Sequence, residues 1–201
     1  MFTVIIPTLW RSPYLKSILD NLQTANSVKN IVLIDNAPNA RTFEPSYSKL
    51  ITLIQPENIY ITASWNKGVA HSRTKFTCLL NDDIVYHSTA FNWLLENWPE
   101  DAGLIGLGAN GINNYCEYSL QPTESRGYGF GAAMFFKTKE YVKIPEQLRL
   151  WYNDDFLFKF MPLNKYYFTA PVVGDMSKTL NNHEWNDIKQ QDQEFWRLNY
   201  E

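Results

Sequence analysis

The feature that most restricts this chain is a regular alternation across its first hundred residues. Short, apolar, β-branched runs take turns with segments of helical hydrophobic spacing. Residues 2–6 form an apolar run that reads as a buried strand. Ser12-Pro13 then offers an N-cap followed by proline at the first helical position. Leu15, Ile18, Leu19 and Leu22 follow at i, i+3, i+4 and i+7, the stripe of an amphipathic helix. Residues 31–34 and 51–54 predict two more strands, 64–71 a second helix and 76–80 a fourth strand. Phe91, Leu94, Leu95 and Trp98 return to helical spacing. Such alternation predicts an α/β fold with a mostly parallel central sheet flanked by helices on both faces. In that class ligands bind beyond the carboxyl ends of the strands. Three polar turns occupy those ends: Pro7-Thr8, Asp35-Asn36 and Asn81-Asp82-Asp83.

The second half changes character. Residues 103–111 and 127–131 are glycine-dense, 132–136 read as a strand and 153–160 as a short helix. Val172-Val173 reads as a last strand and 188–198 as a terminal helix. Residues 1–100 therefore read as a nucleotide-type half and 101–201 as the half that completes a cleft, within one domain.

Charge and composition exclude some functions. A net charge of −3 with no basic stretch argues against a nucleic-acid partner, since neutralising phosphates needs a basic face. Cys78 and Cys116 form neither a disulfide framework nor a metal spacing, as expected in a reducing compartment. No apolar run approaches the ~18 residues of a membrane span, and the first residues enter a strand directly without a signal-peptide pattern. These points lead us to expect a soluble, cytoplasmic protein, alone or within a larger chain.

Adjacent carboxylates at the mouth of a buried strand repel one another unless water or a cation screens them. Asp82-Asp83 suits a divalent ion that also grips a diphosphate, because Mg²⁺ and Mn²⁺ take oxygen ligands from both. The same residues also suit a solvated turn that caps the helix near Thr89. Asp35 is a natural acceptor for a base or ribose hydroxyl, or simply a turn residue. Pro7, Thr8 and Arg11 line the end of strand one, with Arg11 available to phosphate. In Trp65-Asn66-Lys67-Gly68, the glycine permits close packing on a ligand or a strand. Asn153-Asp154-Asp155 is a second acidic cluster, able to deprotonate an acceptor hydroxyl or to cap a helix. His183 and Asp175 are candidates to complete a metal shell, whereas His71 and His87 read as helix or surface residues. There is no Walker-type loop and no GxSxG elbow, and the glycines at 127–131 precede a strand rather than joining strand to helix.

In order, these motifs resemble GT-A glycosyltransferases of the family-2 type, including rhamnosyltransferase-like enzymes. The similar segments are residues 2–8, Ile34-Asp35-Asn36, Glu57-Asn58 with Asn66-Lys67-Gly68, Leu80-Asn81-Asp82-Asp83, residues 131–136 and Asn153-Asp154-Asp155. Together they cover roughly residues 1–160. The resemblance implies a GT-A fold and a nucleoside-diphosphate sugar donor, with a UDP-sugar favoured over dTDP- or GDP-sugars. It implies a glycan or glycoconjugate acceptor, a Mn²⁺ or Mg²⁺ ion and an inverting transfer. It assigns Asp83 to the metal, Asp35 to base or ribose, and Asn66, Lys67, Asn81 and Asp82 to the donor side. Asp155 is then the general base and Asp154 the fallback. Asn81 stands where many members carry Asp. Val173-Gly174-Asp175 stands where the family often has a His, which leaves the third ligand open between Asp175 and His183. The chain is short, so acceptor-binding elements of longer relatives are missing or lie in another domain. Two alternatives are a non-catalytic nucleotide-sugar or glycan-binding module, and a sugar nucleotidyltransferase. The latter wants a glycine-rich loop after strand one, where this chain has Pro7-Thr8-Leu9-Trp10-Arg11-Ser12.

Overall fold

A computed structural model describes residues 1–175 and 183–201. The chain opens with β1 (Phe2–Thr8), α1 (Leu15–Thr24), β2 (Val28–Asp35), β3 (Leu50–Ile54), α2 (Tyr60–His71) and β4 (Phe76–Leu80). β5 (Ile84–Tyr86), α3 (Ser88–Glu96), β6 (Ala102–Leu107), β7 (Ser119–Thr123) and β8 (Ala133–Lys137) follow. Then come α4 (Asn153–Phe160), β9 (Asn164–Thr169), β10 (Val172–Gly174) and α5 (Asn186–Tyr200). One eight-stranded sheet in the order β3-β2-β1-β4-β8-β6-β9-β7 runs through both halves of the sequence. β3, β2, β1 and β4 are mutually parallel, β8 is antiparallel to both its neighbours, and β6 and β9 are again parallel.

Every residue of β1 is buried, which is what a central strand covered on both faces requires. Its alternate side chains feed two cores: Val4 and Ile6 pack with α1 and α3, while Ile5 packs on the face of α2 and α4. β2 and β4 divide in the same way, Leu33 and Cys78 on one side, Val32 and Leu79 on the other. Gly68 explains how closely α2 can lie on the sheet, since a Cβ there would fall 2.3 Å from Ile5 Cγ2. The glycine serves strand packing.

Several sequence expectations change. α1 starts at Leu15 with Tyr14 as its N-cap residue, and Ser12 Oγ instead accepts from the Tyr14 N–H in a turn before the helix. His87 caps α3 by accepting from Thr89 N, so the acidic turn at 81–83 is not that helix's cap. The glycine-dense stretch after residue 101 contains β6, buried throughout; a Cβ at Gly106 would fall 2.4 Å from the Phe130 ring. β9 is a strand beyond those the sequence expectations include, and its aromatics alternate, Tyr166 and Phe168 toward one core and Tyr167 toward the other. β7 carries Pro122, which only an edge strand tolerates, and β7 is the sheet's edge. No helix among the described residues is long and apolar enough to cross a membrane.

Candidate active site

The chain places β2 on one side of β1 and β4 on the other. That reversal opens a crevice at the carboxyl ends of β1 and β4, the switch point of an open α/β sheet. Pro7-Thr8 and Asn81-Asp82-Asp83 face each other across it, and Thr8 Oγ1 donates to Asp82 Oδ2 at 2.6 Å. Asn81 is fixed from below, its backbone N–H donating to Ala132 O. The antiparallel pairing of β5 with β10 sets Gly174 opposite Ile84, and Asp175 N donates to Asp83 O at 3.3 Å. Asp175 thus stands beside the acidic turn, though far from it in sequence.

Two adjoining cavities open from this line. The first, about 290 Å³, is bounded by Thr8, Arg11, Asn36, Asn58, Tyr60 and Trp185 among others. The second, about 370 Å³, is bounded by Trp65, Asn81, Arg126, Tyr128, Trp151 and Asp154 among others. Pro7, Ile61, Asp82, Asp83 and Leu150 belong to both walls. Asp82 and Asp83 therefore sit at the junction of the two lobes.

α4 delivers the second acidic pair. Asp154 and Asp155 both lie in its first turn, where the helix dipole favours negative charge. Arg126 bridges them, Nη1 to Asp154 Oδ2 at 2.9 Å and Nε to Asp155 Oδ1 at 2.5 Å. Gly131 lets the pair approach β8, for a Cβ there would come within 2.4 Å of Asp154 Oδ2. Burial pushes the Asp154 carboxyl above the usual carboxylate range; the Arg126 charge opposes this and the Asp155 charge adds to it. Of the pair, Asp154 lines the second lobe and Asp155 does not.

The segment ahead of α4 is held by a residue that sequence reasoning missed. Asp192 on α5 is fully buried, and its Oδ2 accepts from Leu150 N at 2.6 Å and Trp151 N at 2.8 Å. Three residues flanking the cleft, Trp10, Tyr60 and Tyr152, hold φ of 60°, 61° and 63°. Positive φ in bulky residues costs on the order of 1–3 kcal/mol each and persists only where surroundings enforce it.

The remaining expected site residues divide between the cleft and the surrounding scaffold. Asp35 is 0% exposed and fully used: Oδ1 accepts from Trp10 Nε1 and Ala37 N, and Oδ2 from Arg41 Nε. The cleft wall at that strand end is Asn36. Asn66 ties α2 to the second half, bonding Ile144 O, Ile144 N and Tyr141 Oη, and Lys67 Nζ donates to Gln55 Oε1. Neither residue lines a lobe. Arg11 does line the first lobe, with its guanidinium on Glu184 at 2.9 Å. His183 lies in the turn before α5, its Nδ1 3.3 Å from Asn186 Nδ2, and is absent from both walls.

Among the described residues, no three His, Cys, Asp or Glu side chains gather tightly enough to hold an ion alone. The chemistry of Asp82 and Asp83 still fits a divalent cation. Mg²⁺ and its like bind through one or two carboxylates and complete their shell with substrate phosphates and water. Residues placed at the mouth of two lobes, one on each side, suit that shared coordination.

Comparison with known proteins agrees with this architecture. S. aureus TarS superposes with a TM-score of 0.66 at 13% identity, over 89% of this chain and 61% of that one. HddC from Yersinia pseudotuberculosis, complexed with GMP-PN, gives 0.58 at 14% identity over 97% of this chain and 100% of that one. The mannosyltransferase PcManGT from Pyrobaculum calidifontis, in complex with GDP-Man and Mn²⁺, gives 0.56 at 14% identity over 96% and 61%. The chain thus spans about three fifths of the solved chains of TarS 1–349 and PcManGT. No curated protein sequence matches it. At such identities the structures speak for the fold alone, but a sequence profile goes further: it matches residues 3–166, which take in the switch-point turns, the acidic junction and the α4 pair, and by that match the chain belongs to glycosyl transferase family 2.

Proposed function

We propose that this domain transfers a sugar from a nucleoside-diphosphate sugar to a hydroxyl acceptor. The observation that carries the reading is the position of Asp82 and Asp83 at the junction of two lobes, with Asp154 in the wall of the second. The nucleoside would occupy the first lobe, against Asn36, Asn58 and Tyr60, with the diphosphate at the junction and within reach of Arg11. A UDP-sugar is the first donor to try, since TarS has been solved with UDP-GlcNAc, and a GDP-sugar the next, given PcManGT with GDP-Man.

Asp83 and Asp82 would hold a Mn²⁺ or Mg²⁺ ion, with Asp175 closest to them along the backbone. Such an ion supplies neutralisation of the leaving diphosphate. The residues of the chain do the rest. The acceptor oxygen attacks the anomeric carbon, the bond from that carbon to the phosphate oxygen breaks, and the hydroxyl proton passes to a carboxylate on α4. One displacement of this kind inverts the anomeric centre. Motif order favours Asp155 as that base. Cleft lining and a proton affinity raised toward the working pH favour Asp154, and we assign the role to Asp154. Asp155 then shares Arg126 and keeps the pair in register.

The test is release of free nucleoside diphosphate from UDP-, GDP- and dTDP-sugars, with and without Mn²⁺, alongside donor binding by calorimetry. Asp154→Asn should bind donor and turn over at least a hundredfold more slowly, on the scale of general-base loss. Asp155→Asn should lose less. The reverse ranking moves the base to Asp155, and donor binding without any turnover by wild type leaves a binding module in place of an enzyme.

A further inference from the structure

One wall of the first lobe comes from outside the stretch that defines the family. The described lining runs from the end of β1 through Asn36, the start of α2 and the acidic turn to Leu150, and is completed by Trp185. The profile match stops at residue 166, well before it. Trp185 is held in place from two directions. The Tyr60 ring meets it edge-on, centroids 6.0 Å apart at 86°, and the Arg11 guanidinium stands 6.0 Å over its ring. Arg11 also grips the preceding residue, Nη1 donating to Glu184 Oε2 at 2.9 Å and Nη2 to Glu184 Oε1 at 3.4 Å. α5 begins directly after this turn and is anchored to the cleft wall by Asp192, through the Leu150 and Trp151 N–H groups. A segment remote in sequence thereby sets an indole and a carboxylate against the loop that follows β1.

The two side chains suit the two parts of a nucleotide. Trp185 is half-buried and lines the lobe, so its ring is fixed and still offers surface. A flat base gains by stacking on such a ring, whatever its identity. Glu184 presents two oxygens to the two terminal nitrogens of Arg11, and a guanidinium fork takes carboxylate and phosphate alike. The side chains of this pair are 60% and 48% exposed, and exposed ion pairs hold weakly. A diphosphate at the neighbouring junction carries more charge than one carboxylate and competes for Arg11 on favourable terms.

We infer that Trp185 is a donor-contacting residue on which the nucleobase stacks, and that Glu184 occupies Arg11 until a donor phosphate takes its place. This rests on the transferase reading and adds two residues of the turn before α5 to its donor site.

The experiment titrates the purified domain, in low salt with Mg²⁺, with UDP and GDP and with uridine and guanosine. Calorimetry follows the diphosphates and NMR the nucleosides. Trp185→Leu should weaken a diphosphate and its nucleoside alike by about tenfold, the scale of one base–aromatic stack, and Trp185→Phe should recover most of that loss. Glu184→Gln should tighten the diphosphate by about threefold, the scale of an exposed ion pair, and leave the nucleoside unchanged. Binding indifferent to Trp185→Leu, or weakened as much by Phe as by Leu, overturns the stacking contact. Glu184→Gln that leaves the diphosphate unchanged, weakens it, or tightens the nucleoside equally overturns the exchange at Arg11. A wild-type domain that binds neither diphosphate brings down the transferase reading and this inference with it; wild-type binding with indifferent variants brings down the inference alone.

Discussion

Asp192 gives the sharpest test of how the cleft is held in shape. A single carboxylate oxygen, Oδ2, accepts from two consecutive backbone N–H groups, those of Leu150 and Trp151. Both residues line the cleft, and α4 with its acidic pair begins two residues later. The other oxygen, Oδ1, meets only the distant Arg149 Nε at 4.0 Å. Asp192→Ala orphans both donors. Each unsatisfied, buried donor costs about 1–3 kcal/mol. Water can enter the space the carboxylate vacates, so the total should fall near 2–4 kcal/mol. Asp192→Asn is different in kind. Its carbonyl oxygen can take the place of Oδ2 and keep both bonds, losing only the charge assistance, worth about 1 kcal/mol. Urea unfolding followed by circular dichroism should therefore rank wild type above Asn and Asn above Ala, with Ala lower in melting temperature by roughly 4–16 °C at this size. Turnover should follow the same order, because the wall that carries Trp151 loosens as its anchor weakens. The reasoning fails if Ala lies within about 0.5 kcal/mol of wild type, or if Asn is as damaging as Ala.

Two further outcomes follow from the α4 pair. Burial raises the Asp154 carboxyl, so the neutral form persists in the fold to higher pH than in the unfolded chain. The folded state then holds the extra proton between the two values, and stability from this group declines as pH rises through that window. Activity moves the other way, appearing as the carboxyl ionises. Arg126 holds that value down, so Arg126→Gln should carry the acidic limb of the kcat/KM profile to higher pH; an unmoved or acid-shifted limb would count against Asp154 as the base. Gly131→Ala sets a Cβ 2.4 Å from Asp154 Oδ2 and 2.8 Å from Asp154 Cβ. It should cost about 1–3 kcal/mol in urea unfolding and break the Arg126 contact, with turnover falling; a variant indistinguishable from wild type in both would show that the pair does not pack on β8 as described.

The parallel half was legible because burial on both faces writes itself as continuous apolar runs. β1 and β2 are legible from their Val, Ile and Leu, β4 from Phe76, Leu79 and Leu80, and α1 from its stripe. The antiparallel half was harder for a physical reason. β6 is built on glycines, since Pro162 and Phe130 press against it where side chains would otherwise stand. That requirement depletes the very residues by which a strand is recognised. β5 is three residues long, too short for any period to show. β9 did show a period of two, in Tyr166, Tyr167 and Phe168, and was the one strand whose signal was present and unused.

The site divides along a similar line. Sequence names which residue type stands at a strand end, but not whether its polar atoms are already spent. Asp35 and Asp192 are the same letter in two different states of use. Asp35 is saturated by Trp10, Ala37 and Arg41 and shapes the floor of the cleft from beneath. Asp192 spends its oxygen on two backbone groups from a helix more than 40 residues further along the chain. Asp83, by contrast, stands in the walls of both lobes. The difference lies in partners contributed by distant segments, which local motif spacing does not encode. A motif in this fold therefore names a turn, and partners brought by distant segments decide which of its residues faces the cleft: Asn36 rather than Asp35, and Asp154 rather than Asp155, stand in the walls of the lobes.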